Sequence, residues 1–338
     1  MMLEFDSVLA PLSAEVFLKD FWLKQFIHIT GKPGRFAPLL PWEELSAILE
    51  QHRLTPPRLK LYRDGQSLDP SLYLTPAMFG VPRLDAGRLA IALAQGASLI
   101  LDDAQELAPR VRDLMARFQD ALGTDAFANL YAGWHSQNAF NRHWDPQEAM
   151  VLQLAGRKKW RVWRPTRLHP LQNDGEPPAP PTGAPVWEGV LNDGDVLYIP
   201  RGWWHDAFPL NEPSLHLTVS LTPPTALDYL GWVMTRLREH ADLRASLPPP
   251  ADGAWQKEMT ARIARLVADG LQTAPLAEFQ RQWEANIRPN PHISLPDAPY
   301  EQLAPLSEAS LIRLAAMHRL AFAPLGDKFE FSAGGRLW

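Results

Sequence analysis

Residues Ser214 to Leu221 alternate strictly, with Ser214, His216, Thr218 and Ser220 on one side and Leu215, Leu217, Val219 and Leu221 on the other. A period of two is that of a β-strand with one apolar face, because successive side chains leave the pleated backbone in opposite directions. Three further strand patterns precede it. Ala149 to Ala155 is an almost continuous apolar run, and Asp195 to Ile199 is a second. Between them Lys158 to Trp163 alternates: Arg157, Lys159 and Arg161 share one face, and Lys158, Trp160 and Val162 the other. Gly156-Arg157 and Asp193-Gly194 supply tight turns, and Pro165 to Pro185 forms one long proline-rich loop. Antiparallel strands joined by short turns and a single long loop predict a β-barrel or sandwich.

Helical patterns flank this region. Ser13 caps a helix running to Trp22, Pro41 to Leu49 forms a second with proline in its first turn, and Glu106 to Leu122 forms a third, placing Pro109 at its start. Residues 1 to 95 therefore read as mixed helix and loop packing on the barrel, and 96–224 as the barrel domain. Beyond Pro223-Pro224, residues 225–338 read as a helical region. Ala226 to His240 and Ala254 to Leu271 are amphipathic and separated by Pro248-Pro249-Pro250. Residues 307–320 form another helix, and Asp327 to Trp338 a small hairpin. A helix followed by a hairpin is compatible with a winged-helix-like end.

Bulk properties exclude several classes. Among 338 residues, 46% are hydrophobic and 21% charged, as in an ordinary globular protein. No apolar run approaches the roughly 18 residues a membrane helix needs. Met1-Met2-Leu3-Glu4-Phe5-Asp6 lacks the basic start and apolar core of a signal peptide. With no cysteine there are no disulfides and no thiolate metal sites, so a cytoplasmic address fits best. A net charge of −5 provides no general attraction for nucleic acid.

The chemistry concentrates in His143-Trp144-Asp145 and in His205, which closes the run Leu197 to His205 as a strand end. Two imidazoles and one carboxylate are the facial triad of a non-haem Fe(II) oxygenase, which leaves the opposite coordination face open. Two residues apart on a strand, His143 and Asp145 point the same way. Taken alone, His205 reads equally well as a histidine packed between Trp203 and Trp204; with His143 and Asp145 the metal reading prevails. Lys158 shares its face with Trp160 and Val162 and so points into the barrel, where an unpaired ammonium is costly. It pairs with Asp145 or another internal acid, snorkels to the rim, or receives the carboxylate of a bound co-substrate. Thr218 and Ser220 offer hydroxyls to the same carboxylate or to an internal water network. Trp134, Trp203 and Trp204 suggest an aromatic rim that excludes water, with simple aromatic packing as the alternative.

The runs Asn129-Leu130-Tyr131, Ser136-Gln137-Asn138, His143-Trp144-Asp145 and Gln153 to Trp160 resemble JmjC-type 2-oxoglutarate oxygenases. Gly194 to His205 and Leu215 to Ser220 extend the likeness. Within that family the ribosomal-oxygenase branch looks most similar, with some likeness to asparaginyl hydroxylases that end the same strand in Trp-Trp-His. The resemblance covers about 125–222. It implies an α+β chain built on a double-stranded β-helix (a cupin-like jelly-roll), with Fe(II) held by His143, Asp145 and His205. It assigns the far carboxylate of 2-oxoglutarate to the basic residue fifteen places beyond the first histidine, Lys158. It also places Asn129 and Tyr131 near the substrate, where the residues alone leave Tyr131 open to plain core packing. His216 reads as a satisfied core histidine, because a fourth protein ligand would block the co-substrate. The insertion Asn173 to Pro185 carries no family motif, and the tail resembles the dimerising helices and winged-helix-like end of ribosomal oxygenases.

The expectation is an Fe(II)- and 2-oxoglutarate-dependent hydroxylase of a protein or peptide side chain, with a His or Arg of a ribosomal protein among the targets and a homodimer through the C-terminal helices. Hydroxylation of a small molecule or peptide natural product, and a non-catalytic metal-binding scaffold, are the alternatives.

Overall fold

The computed structural model describes residues 3–287, apart from 77–79, 81, 175–178, 248 and 251, and the backbone of strands at 321–325, 328–333 and 336–337. The chain divides into two compact units, 1–121 with 125–222, and 122–124 with 223–338.

The first unit is built on two antiparallel sheets. The larger orders its strands β1 (Ile27–Ile29), β9 (Val196–Ile199), β6 (Glu148–Ala155), β11 (Ser214–Thr222), β5 (Asp125–Gly133), β4 (Ser98–Leu101), β2 (Leu59–Arg63) and β3 (Gln66–Ser67). The smaller orders β10 (Trp204–Pro209), β7 (Lys158–Trp163) and β8 (Trp187–Leu191). Ala149, Val151, Leu197 and Ile199 from the large sheet pack against Trp160, Val162 and Leu191 from the small one. This is the interior of the barrel expected from the strand patterns, and of the jelly-roll that the family resemblance implied. The alternation of β11 is realised: Leu215, Leu217, Val219 and Leu221 are all buried, each contributing about 2 kcal/mol of transfer free energy. Its other face looks into the barrel and carries His216 and Thr218.

Two turns show why local sequence dictates this connectivity. Gly156 joins β6 to β7 at φ +64°, and a Cβ there would lie 1.9 Å from the Pro213 carbonyl oxygen, so only glycine fits. Asp64 and Gly65, at φ +53° and +76°, form the tight turn between β2 and β3. Both central residues lie in the left-handed region that a primed hairpin turn needs.

Four helices surround these sheets in the N-terminal part: α1 (Phe5–Leu9), α2 (Ala14–Asp20), α3 (Trp42–Gln51) and α4 (Ala86–Ala94). Ser13 caps α2 by accepting from Val16 N, and Pro41 sits at the N-cap of α3, one position before its first turn. The fifth helix, α5 (Pro109–Leu122), begins at Pro109, whose missing N–H leaves no further orphan in a first turn. Helix and loop are not the whole of residues 1–95, because β1, β2 and β3 join the large sheet.

The second unit holds α6 (Ala226–Leu237), α7 (Ala241–Arg244), α8 (Gly253–Thr273) and α9 (Leu276–Asn286), then a three-stranded antiparallel sheet of β12 (Ala321–Leu325), β13 (Lys328–Ala333) and β14 (Arg336–Leu337). Helix α6 opens with a capping box in which the Thr225 hydroxyl accepts from Asp228 N while the Asp228 carboxylate accepts from Thr225 N. Val233, Leu237 and Ala274 form its small core. The helix expected at 307–320 lies outside the described residues.

Candidate active site

His143 lies between β5 and β6 and His205 is the second residue of β10. Their backbones form an isolated antiparallel bridge, with His143 N donating to His205 O at 3.1 Å and His205 N to His143 O at 2.8 Å. Two sequence expectations change here. His205 opens a strand instead of closing one, because Pro200 to Trp203 turns the chain, with Gly202 at φ +80° and Trp203 N donating to Pro200 O. His143 and Asp145 converge from an irregular segment, and Gly202 N, in that same turn, donates to Asp145 O at 2.9 Å.

Three ligand atoms meet. His143 Nε2 is 3.9 Å and His205 Nε2 3.5 Å from the Asp145 carboxylate, and the three donor atoms lie within 4.8 Å of one another. Nδ1 of His143 is 2.8 Å from Asn141 O, and Nδ1 of His205 is 3.2 Å from Trp203 O. A carbonyl only accepts, so each Nδ1 carries its proton and donates it, leaving each Nε2 lone pair turned toward the aspartate. Burial, with neighbouring His143, holds the His205 imidazole down to about 4, so it is neutral and able to ligate. Two imidazole nitrogens and one carboxylate, fixed in tautomer and convergent, fit a divalent cation.

The triad opens onto a cavity of about 210 Å³, whose far wall carries Tyr131, Lys158, His216 and Thr218. Lys158 is 7% exposed, and no carboxylate lies within ion-pair range of it among the described residues. Its ammonium sits 5.9 Å from the Tyr131 ring centre and 5.8 Å from that of Trp160. Desolvation pulls its pKa down to about 7. Asp145 engages the histidines, so the internal salt bridge that the sequence left open is not formed. His216 is buried and stacked flat on Tyr131, at 4.8 Å and 6°, but its Nδ1 has no hydrogen-bond partner among the described residues, unlike the satisfied core histidine expected. Burial first, and then the Lys158 charge, push its pKa well down. Burial also raises the Tyr131 phenol, keeping it neutral.

The remaining expected residues separate. Thr218 faces the cavity; Ser220, two positions along the same face, does not line it. Asn129 lies opposite Thr218 on β5, but outside the lining, and accepts from Asp103 N at 3.1 Å. The aromatic wall differs from the expected rim. Trp203 packs in the barrel core, Trp204 donates to Thr166, and Trp134 lies against Trp42. Instead Tyr131, Phe140 and Trp160 line the cavity, with Phe140 edge-on to His143 at 5.5 Å. Phe140 stands alone in an irregular segment where no periodicity marks it, whereas Trp160 is in phase with Lys158.

A jelly-roll barrel carrying two histidines and an aspartate at its mouth has the arrangement of a cupin-type metal site. Residues 101–229 match the JmjC domain family. Among curated relatives, the bifunctional lysine-specific demethylase and histidyl-hydroxylase NO66 of Drosophila pseudoobscura pseudoobscura is 30% identical over 227 residues, covering 63% of this chain and 22% of the fly protein. Ribosomal oxygenase 1 of Rattus norvegicus is 30% identical over 258 residues, covering 72% of this chain and 42% of the rat protein. The matched part thus spans less than half the length of these relatives. In fold, the chain is similar to Escherichia coli YcfD, with a TM-score of 0.61 at 17% identity over 96% of this chain and 85% of that one. The same fold likeness, at a TM-score of 0.57 and 18% identity over 97% of this chain and 86% of that one, holds for YcfD described as a ribosomal oxygenase in complex with cobalt and 2-oxoglutarate.

Proposed function

We propose that this chain is an Fe(II)- and 2-oxoglutarate-dependent oxygenase that hydroxylates a side chain of a protein substrate, of the ribosomal kind, yielding succinate and carbon dioxide. The observation that carries the reading is Lys158, a buried ammonium without a carboxylate partner among the described residues, in the same cavity as the convergent His143, Asp145 and His205. With two aromatic rings near it and no carboxylate in range among the described residues, that buried cation is best stabilised by an anion delivered from outside. A dicarboxylate that reaches from the triad to Lys158 supplies one. The names of the relatives, ribosomal oxygenase and histidyl-hydroxylase, and the cobalt and 2-oxoglutarate complex of YcfD support it.

His143, Asp145 and His205 would hold the metal, which when bound supplies the activation of dioxygen that side chains cannot perform. The backbone carbonyls at Asn141 and Trp203 keep both imidazoles in the ligating tautomer. Lys158 anchors the distal carboxylate, and the Thr218 hydroxyl donates beside it. Tyr131, Phe140 and Trp160 exclude water around the reacting atoms and orient the incoming side chain, with Asn129 holding the backbone at Asp103 behind them. In this reading residues 96–224 carry the catalysis, 1–95 support the barrel, and 225–338 serve assembly. Exposed Leu227, Leu230 and Met234, one stripe of α6, support a homodimer through the C-terminal helices, and the absence of cysteine suits a cytoplasmic setting.

The direct test incubates the chain with Fe(II), 2-oxoglutarate, oxygen and ribosomal protein peptides, with a His143→Ala variant alongside. Succinate formation together with one added oxygen on a peptide is the expected result. Turnover no greater than in the variant would sink the catalytic reading.

A further inference from the structure

We propose that a rung of alternating charge, Arg142–Asp206–Arg161–Glu188, is a positioning device that sets the separation of the two histidines of the candidate metal centre; this rests on the metal reading above. His143 and His205 exchange both backbone hydrogen bonds, so in antiparallel register the next rung sets Arg142 opposite Asp206. Asp206 in turn pairs in register with Arg161, and Arg161 with Glu188. Successive side chains alternate, so the histidines face the cavity while this rung runs along the outer face directly beside them.

Its contacts are those of a built structure and not of a passing surface pair. Asp206 is only 4% exposed and receives a two-pronged grip from Arg161, Nε at 2.7 Å and Nη2 at 2.8 Å. Arg142 Nε lies 3.5 Å from the same carboxylate, and its guanidinium stacks 3.6 Å from the Trp163 ring centre. Exposed ion pairs contribute little, but a buried carboxylate held by a planar fork fixes both distance and angle. Arg142 also donates Nη1 to the Pro181 carbonyl, and Trp163 Nε1 donates to Gly183 O at 2.8 Å. The proline-rich loop is therefore fastened to the segment that carries His143 and to β7, the strand paired with the one that carries His205. Loss of the rung leaves the two histidines free to splay while the rest of the barrel stands.

The test is titration of Co(II) alone into the full chain, comparing wild type with Asp206→Asn, Arg142→Met, Arg142→Lys and Arg157→Ala, with melting temperature recorded for each. Weakening of Co(II) affinity by about tenfold in Asp206→Asn and Arg142→Met, a changed absorption spectrum of the bound Co(II), and partial recovery in Arg142→Lys are expected. Arg157→Ala, which removes only an exposed pair with Glu212, leaves both readouts unchanged. Affinities within twofold of wild type and an unaltered spectrum overturn the proposal, even if the melting temperature falls. If Asp206→Asn does not fold, the two Arg142 variants decide by themselves. Absence of Co(II) binding in wild type would instead remove the metal reading on which the proposal stands.

Discussion

The imidazoles of His143 and His205 face each other across one backbone rung, their centroids 4.4 Å apart, with Asp145 reaching both Nε2 atoms. Among the described residues neither ring has another side-chain acceptor at Nε2, an arrangement suited to a cation. Treatment with a chelator should abolish succinate production, and added Fe(II) should restore it. His143→Ala, Asp145→Ala and His205→Ala should each lower turnover roughly 100-fold or more, beyond what an outer-shell change costs. Rescue of all three by excess Fe(II) alone would contradict the ligand assignment.

Lys158 makes two pH-dependent predictions. Its pKa falls from 10.5 to about 7 on folding, so between those values the unfolded chain binds more protons and stability rises with pH. The cost of burying it is fully present below about pH 7 and vanishes toward 10.5. The ligand-free Lys158→Met variant should therefore melt higher than wild type at pH 6, with the gain shrinking at pH 9 to 10. Dicarboxylate affinity should show the opposite trend, because anion binding needs the ammonium: in wild type it should fall by up to about tenfold per pH unit above 7. Calorimetric titration with succinate across this range should find the slope absent in Lys158→Met.

Thr218 and Ser220 share one face of β11, yet only Thr218 lines the cavity. Thr218→Val should weaken 2-oxoglutarate binding several-fold, about the 1 kcal/mol of one hydrogen bond. Ser220→Ala should leave it within twofold. Equal effects in the two variants would mean that the far carboxylate sits elsewhere.

Gly156 tests the frame beneath the site. Gly156→Ala forces a side chain into the left-handed region and against Pro213 O, so it should cost at least about 2 kcal/mol, read as a lowered melting midpoint. The β6–β7 turn sets the register of Lys158, so dicarboxylate affinity should fall with it.

Much of this was legible along the chain wherever a pattern was local. Continuous apolar runs mark β6 and β9, period-two runs mark β7 and β11, and the phase of β7 puts Lys158 and Trp160 on the inner face. The N-terminal strands leave fainter marks because they are short. A signal for two of them existed: the alternation Leu59-Lys60-Leu61-Tyr62-Arg63 runs straight into Asp64-Gly65, a strong hairpin marker. β1 offers no such mark, since its three residues become a strand only by pairing with β9.

By itself, then, the sequence determined the candidate donors His143, Asp145 and His205, the inward face of Lys158 and the strand-rich architecture, because these depend on residue type and on the period of neighbouring side chains. Tertiary structure alone decided that Trp203 belongs to the core and not to the rim, that Thr218 reaches the cavity while Ser220 does not, and that Arg142 stands opposite Asp206. Each of those depends on the register and curvature of strands brought together from far apart in the chain, and no local pattern encodes a distance across a barrel.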